Sequence, residues 1–170
     1  MIMARILIFF SLGMAILTTG IALSNRLTIG DVSFSAQVST IIDGDTFTVI
    51  QQQKKSVIRL YGVDCPEKAQ PYGKQASQAA KALLCGKVVG IDPVDTDKYG
   101  RTVAIVRLAD GATIQDRLVE SGAAWVFDHF CRKPVCMQWK HKEKTARQAQ
   151  KGLWGDDKPT PPWQWRAGHK

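Results

Sequence analysis

Three short stretches limit this chain more than anything else in it: IIDGDTFTV (41–49), VIRLYGVDCPE (57–67) and DTDKYGRTVAIV (95–106). Each sets β-branched and large apolar residues directly against a turn rich in Gly, Asp or Pro, the pattern of short strands joined by tight polar connections. Residues 36–42 and 46–50 read as a hairpin around Asp43-Gly44-Asp45. Residues 57–63 continue as a third strand whose end delivers Asp64 and Glu67 into a loop that Pro66 stiffens. Residues 88–91 and 102–108 make two more strands, and the polar loop between them holds Lys98, Tyr99 and Arg101.

Helical signals fall between these strands. Alanines, lysines and glutamines over 73–84 favour a helix, with Gly86 as its stop. Residues 114–121 place Leu118 at i+4 from Ile114, and residues 135–151 read as a final helix before Gly152-Leu153-Trp154. Five strands and three helices make an α+β domain, with no internal repeat or heptad pattern. The 170 residues, 45% of them hydrophobic, suit one compact core. The formal net charge of +8 favours polyanionic partners without specifying any chemistry.

Chemistry enters through five charged residues in the three stretches: Asp45, Arg59, Asp64, Glu67 and Arg101. Hydrolysing a phosphodiester requires neutralising an anionic phosphate, stabilising the charge that grows on its oxygens, and orienting a water. Carboxylates suit a hard divalent cation, a further carboxylate can act on the water, and two arginines can clamp the phosphate with paired donors. Together they read as a metal-dependent phosphodiesterase. His129, His141 and His169 have no Ser or Cys nucleophile beside them in sequence, so a histidine-based mechanism has little support.

With these motifs in this order, the chain resembles the staphylococcal nuclease (thermonuclease) family over residues 36–155. The resemblance implies a five-stranded OB-fold barrel with helices and a calcium-dependent nuclease acting on DNA and RNA. It implies that Asp45 and Asp64 are calcium-binding carboxylates and that Cys65, a threonine in the family reference, offers its main-chain carbonyl. Arg59 and Arg101 match the phosphate-binding arginines, Glu67 the glutamate that engages the attacking water, and Lys98 and Tyr99 residues that touch a bound nucleotide's phosphates. Another nucleotide-contacting tyrosine of the reference falls near Asp128 here, a departure that leaves the hydrolytic centre intact. The alternative from another class is a nucleic-acid-binding barrel without catalysis, which would need neither Glu67 nor the paired arginines.

Asp43 reads as a support behind the metal ligands or simply a turn residue rather than a direct ligand, and Asp97 either holds the Arg101 loop or is a solvated carboxylate. Arg5 precedes an apolar run over 6–23, and Ala22-Leu23-Ser24 resembles a cleavage site. Residues 1–24 are thus expected to be a signal peptide, or an uncleaved helical membrane anchor. Either reading exports the domain: a monomer that is secreted, periplasmic or anchored to the outer face of the cytoplasmic membrane. In such a compartment Cys131 and Cys136, flanking Arg-Lys-Pro-Val, are expected to form a disulfide, and Cys65 with Cys85 is a second candidate pair. His129, Cys131, Cys136 and His141 imitate a zinc cluster, but their spacing matches no standard zinc motif. The tail, 156–170, carries Pro159, Pro161 and Pro162 ahead of Trp163 and Trp165 and is expected to be a PPII-like strap over apolar surface rather than a base-stacking platform.

Overall fold

A computed structural model describes residues 34–169. Five strands close into a barrel in the order β1-β2-β3-β6-β5: β1 (Phe34–Ile41), β2 (Thr46–Gln51), β3 (Lys54–Leu60), β5 (Val88–Thr96) and β6 (Thr102–Arg107). Neighbours run antiparallel except β3 and β6, whose parallel pairing sets Ile58 opposite Thr102 and Arg59 opposite Val103. A two-residue ribbon, β4 (Val63–Asp64) with β7 (Trp125–Val126), lies outside the barrel sheet. The helices are α1 (Gly73–Leu84), α2 (Ile114–Glu120), α3 (Val135–Gln148) and α4 (Pro162–Gly168). This is the OB-fold barrel anticipated from the motifs, with one helix more than expected.

Alternation along the strands sends Phe47, Val49, Ile58, Leu60, Val89, Ile91, Ala104 and Val106 inward, all nearly or fully buried. Burial of a Phe, Ile or Leu side chain of this kind contributes about 1.5–3 kcal/mol each. Helix α1 lays Ala76, Ala80 and Leu84 on the barrel at i, i+4 and i+8. Helix α2 starts at a capping box in which Thr113 and Asp116 satisfy each other's backbone N–H groups. Its buried Gln115 accepts from the Val106 N–H at 3.3 Å and donates to the Ala104 carbonyl at 3.0 Å, fixing α2 to β6. Asp116 also pairs with Lys142, tying α2 to α3, whose Trp139 is fully buried.

The structure moves several expected boundaries. The third strand begins at Lys54 because Gln52 and Gln53 both adopt positive φ, 46° and 65°, closing a two-residue hairpin turn without glycine. That strand ends at Leu60; Gly62, at φ 72°, breaks the run, and Val63 and Asp64 pair instead with β7. Strand β5 runs on to Thr96 because an irregularity between Pro93 and Asp95 absorbs the proline within the ladder with β6. Helix α3 stops at Gln148, before Gln150 at φ 49° turns the chain into a single 3-10 turn at Gly152–Gly155.

The tail does cover apolar surface, as expected, but as a helix rather than an extended strap. Pro162 occupies the start of α4, where a missing N–H is no loss. Trp163 stacks on Phe127, centroids 4.6 Å apart and rings within 4° of parallel, and meets the edge of Trp125 at 5.7 Å. Among the described residues no helix is long and apolar enough to cross a membrane; the expected signal or anchor, 1–24, lies outside them.

Candidate active site

The site forms where the β1–β2 turn, the end of β3 and the loop after β4 meet at one rim of the barrel. In the turn, Asp43 accepts the Asp45 N–H at 3.1 Å, so Asp43 is a turn residue, while the Asp45 carbonyl accepts the Leu60 N–H at 2.8 Å. Gly44 packs against Cys65 so closely that a Cβ there would lie 2.6 Å from the Cys65 Cβ. Only glycine lets the turn approach this near. The buried Asp45 carboxylate then accepts the Cys65 N–H at 2.7 Å and the Thr46 hydroxyl at 3.1 Å.

Arg59 alternates with the core residues Ile58 and Leu60, so its side chain leaves the barrel and reaches the rim. Its guanidinium pairs with Asp45 and, at 2.7 Å, with Asp64. Two carboxylates from separate elements thus converge on one guanidinium, and both are almost wholly buried. Such carboxylates retain their charge only with compensating donors.

Glu67 sits in the loop between β4 and α1. Its N–H donates to the Gln70 side chain at 3.1 Å and its carbonyl accepts the Gln70 N–H at 2.8 Å. A Cβ on Gly73 would fall 1.8 Å from the Glu67 carbonyl oxygen, so the loop can fold back onto α1 only because residue 73 is glycine. A fourth group completes the cluster. Arg166, from the tail helix, donates to both Asp64 oxygens, at 2.8 and 3.2 Å, and to Glu67 at 2.7 Å. Hydrogen bonding to Asp64, then to Glu67, raises its pKa further and keeps it charged, even though partial burial acts the other way.

Arg101 is held separately. Asp97 accepts the backbone N–H groups of Tyr99 and Arg101, at 2.9 and 3.0 Å, and the Arg101 Nε at 2.6 Å. Asp97 therefore holds this loop rather than standing solvated. Burial alone would raise its pKa, but the Arg101 side-chain and backbone hydrogen bonds outweigh it and hold the carboxyl below its usual value. Lys98 and Arg101 both lie over the exposed Tyr99 ring, at 5.1 and 5.4 Å. No hydrogen bond or ion pair among the described residues joins Arg101 to the Asp45–Asp64–Glu67 cluster. The link is topological: Arg101 precedes Thr102, which faces Ile58, the neighbour of Arg59.

The donor set suits a hard cation. Asp45 and Asp64 offer carboxylate oxygens, and burial pushes the Cys65 thiol well above its ordinary pKa, with nearby carboxylates reinforcing that shift against Arg59. A protonated thiol is a poor ligand for a hard cation, so the oxygen that Cys65 offers is its main-chain carbonyl. Two carboxylates and one carbonyl would leave much of a hard divalent ion's coordination to water or substrate oxygens, as such ions commonly require. Cys131 and Cys136 are bridged, with Cα atoms 5.7 Å apart, which removes both sulfurs from the zinc-like arrangement. Cys65 and Cys85 are not joined; one is buried and the other exposed. Asp128 pairs with Lys140 at 3.0 Å.

Two residues of the cluster escaped the sequence. Gln70 looked like an ordinary loop residue, and Arg166 lies 102 positions from Asp64 with no local pattern to connect them.

Comparison with known proteins agrees with this geometry. Residues 57–156 match the family described as staphylococcal nuclease homologue. An uncharacterized endonuclease of Escherichia coli O157:H7 is 38% identical over 130 residues, covering 76% of this chain and 83% of the relative. A micrococcal nuclease of Shigella flexneri is 33% identical over 145 residues, covering 81% and 83%. A probable staphylococcal-like nuclease of Oryza sativa subsp. japonica is 39% identical over 113 residues, covering 66% of this chain and 33% of the relative. Motif, fold and relatives coincide on the same segment: the chain belongs to the staphylococcal nuclease family.

Proposed function

We propose that the protein is an exported, calcium-dependent nuclease that hydrolyses the phosphodiester bonds of DNA and RNA with little base specificity. The observation that carries this reading is the convergence of two buried carboxylates, Asp45 and Asp64, on the rim where Arg59 and Glu67 also emerge. A buried acidic pair kept beside an arginine costs desolvation that a merely structural surface has no need to meet.

Calcium, held by Asp45, Asp64 and the Cys65 carbonyl, would supply Lewis-acid polarisation of a phosphate oxygen. Glu67 orients the attacking water or takes its proton, from a loop that Gln70 and Gly73 hold in place. Arg59 and Arg101 donate paired hydrogen bonds to the phosphate and stabilise the charge that develops on its oxygens. Lys98 and Tyr99 flank the phosphate from the β5–β6 loop. These groups all address the backbone, which supports cleavage with little regard to base. The apolar N-terminal run and the Cys131–Cys136 bridge support export.

The test is degradation of plasmid DNA and of a single-stranded oligonucleotide by the purified protein, with added Ca²⁺ and with chelator. Cleavage that chelation stops is the expected result. Full activity in excess chelator would remove the calcium mechanism, and DNA binding without any cleavage would leave a non-catalytic binding module.

A further inference from the structure

The tail is fastened at two points before it reaches the site. The Thr160 carbonyl accepts a hydrogen bond from Gln70 Nε2, the same side chain whose oxygen holds the Glu67 N–H. Trp163 is seated on Phe127 and Trp125. Arg166 follows Trp163 by three residues, so both emerge from one face of α4. Seating the tryptophan therefore aims the arginine.

The Arg166 guanidinium makes a two-pronged contact with Asp64 and reaches Glu67 with the same Nη1. Arg59 already occupies Asp64 Oδ1, so both oxygens of this buried carboxylate are committed to arginine. Arg59 leaves Asp64 Oδ2 free, so docked Arg166 is what covers that oxygen, and a divalent ion and the Arg166 guanidinium repel each other and compete for its lone pairs.

We propose that the C-terminal tail is an intramolecular competitor for the cation: docked Arg166 covers Asp64 and Glu67, and calcium binds only as it is displaced. This rests on the reading of Asp64 as a calcium ligand. The competition is efficient because the arginine is tethered, so its local concentration far exceeds that of any free cation competitor. The apparent calcium affinity is the intrinsic affinity reduced by the fraction of molecules whose tail is undocked. Any event that lifts the tail, such as a partner binding Trp163 or removal of the last residues, would sensitise the enzyme to calcium.

The decisive measurement is calorimetric titration of Ca²⁺ alone into the full chain as wild type, Arg166→Ala and Trp163→Ala. Removing a charge-assisted, multiply hydrogen-bonded competitor should tighten calcium binding about tenfold in Arg166→Ala. Trp163→Ala unseats the tail without touching a carboxylate, and should tighten binding in the same direction by a smaller factor. Measurable but unchanged or weaker affinity in Arg166→Ala would overturn the competitor role and leave the calcium site standing. No calcium binding by any of the three proteins would overturn the calcium site and the inference with it. Hydrogen exchange of the wild type supplies a second readout. Amides of residues 164–168 in the tail helix should lose protection at saturating calcium, and undiminished protection would show that the tail is not displaced.

Discussion

Around Arg59 three separate elements converge: a turn brings Asp45, 14 positions before the arginine, a strand brings the arginine itself, and the β4–β7 ribbon brings Asp64, five positions after it. Around Arg101 everything comes from within five residues, Asp97 to Arg101, and the partner is a local carboxylate in a loop. The Arg59 side chain is 19% exposed against partners at 3% and 1%, whereas Arg101 is 31% exposed against an Asp97 at 20%. One arginine is part of the barrel's architecture and the other is carried on a self-contained loop. The candidate site so assembled has an architectural side around Arg59 and a loop side around Arg101.

Conservative replacement of each arginine separates the two sides most sharply. Arg59→Lys and Arg101→Lys both lose the planar fork, so kcat should fall by on the order of a hundredfold or more in each. Their stabilities should diverge. A lysine at 59 cannot serve two buried carboxylates at once and should cost about 1–3 kcal/mol in denaturant melts, while a lysine at 101 should melt like the wild type. Equal melts would break the distinction between architectural and carried arginine.

Glu67 lies between these extremes, since its backbone is fixed by Gln70 and Gly73 while its side chain is 38% exposed. Glu67→Gln keeps the shape and removes the base. Turnover should fall by roughly a hundredfold, with affinity for a cleavage-resistant oligonucleotide nearly unchanged. A parallel loss of affinity would place Glu67 in binding instead.

The same contrast explains what could be read from the sequence. Helix α1 was legible to its last residue because its composition and the following Gly86 are local signals, and the Arg59, Asp64 and Glu67 stretch was legible because its spacing is local too. The continuation of β5 through Pro93 was not, because a proline in a strand is tolerated only when a ladder irregularity accommodates it, and that depends on β6. The Gln52-Gln53 turn carries none of the Asn or Gly that usually marks positive φ. Arg166 was hidden for the same reason as β5: its place is set by the seat of Trp163 on residues nearly forty positions earlier, not by anything beside it.

Asp97 allows a smaller test on the loop side. Its folded pKa lies below the ordinary value, so its contribution to stability is present above about pH 4 and is lost as the pH falls through the lowered value. Asp97→Asn should cost less than about 1 kcal/mol at pH 7, because the pair is partly solvated, and the variant should converge with the wild type in acid. Turnover should drop severalfold as the Arg101 loop loosens. A constant gap between the two proteins at every pH would mean that the hydrogen-bonded turn, rather than the charge, is what Asp97 provides.

The smallest effect of a site substitution on turnover is expected on the architectural side, at Cys65. Its thiol is buried, neutral and unpaired, and it packs against Gly44 while its N–H serves Asp45. If the calcium ion takes only the main-chain carbonyl, Cys65→Thr should leave calcium affinity and turnover within a few fold of wild type, since the added groups need not reach the metal. The close approach of Gly44 makes a stability cost of about 1 kcal/mol reasonable, because a β-branched side chain must fit where a thiol lay against bare backbone. Cys85→Ala should be silent in the same melts, and reductant should act only through Cys131–Cys136. Calcium titrations and melts of both variants, with and without reductant, decide the matter. A large loss of calcium affinity with an unchanged melt would mean that the thiol itself shapes the metal site, and that the barrel rim is less rigid around Asp45 than its buried hydrogen bonds imply.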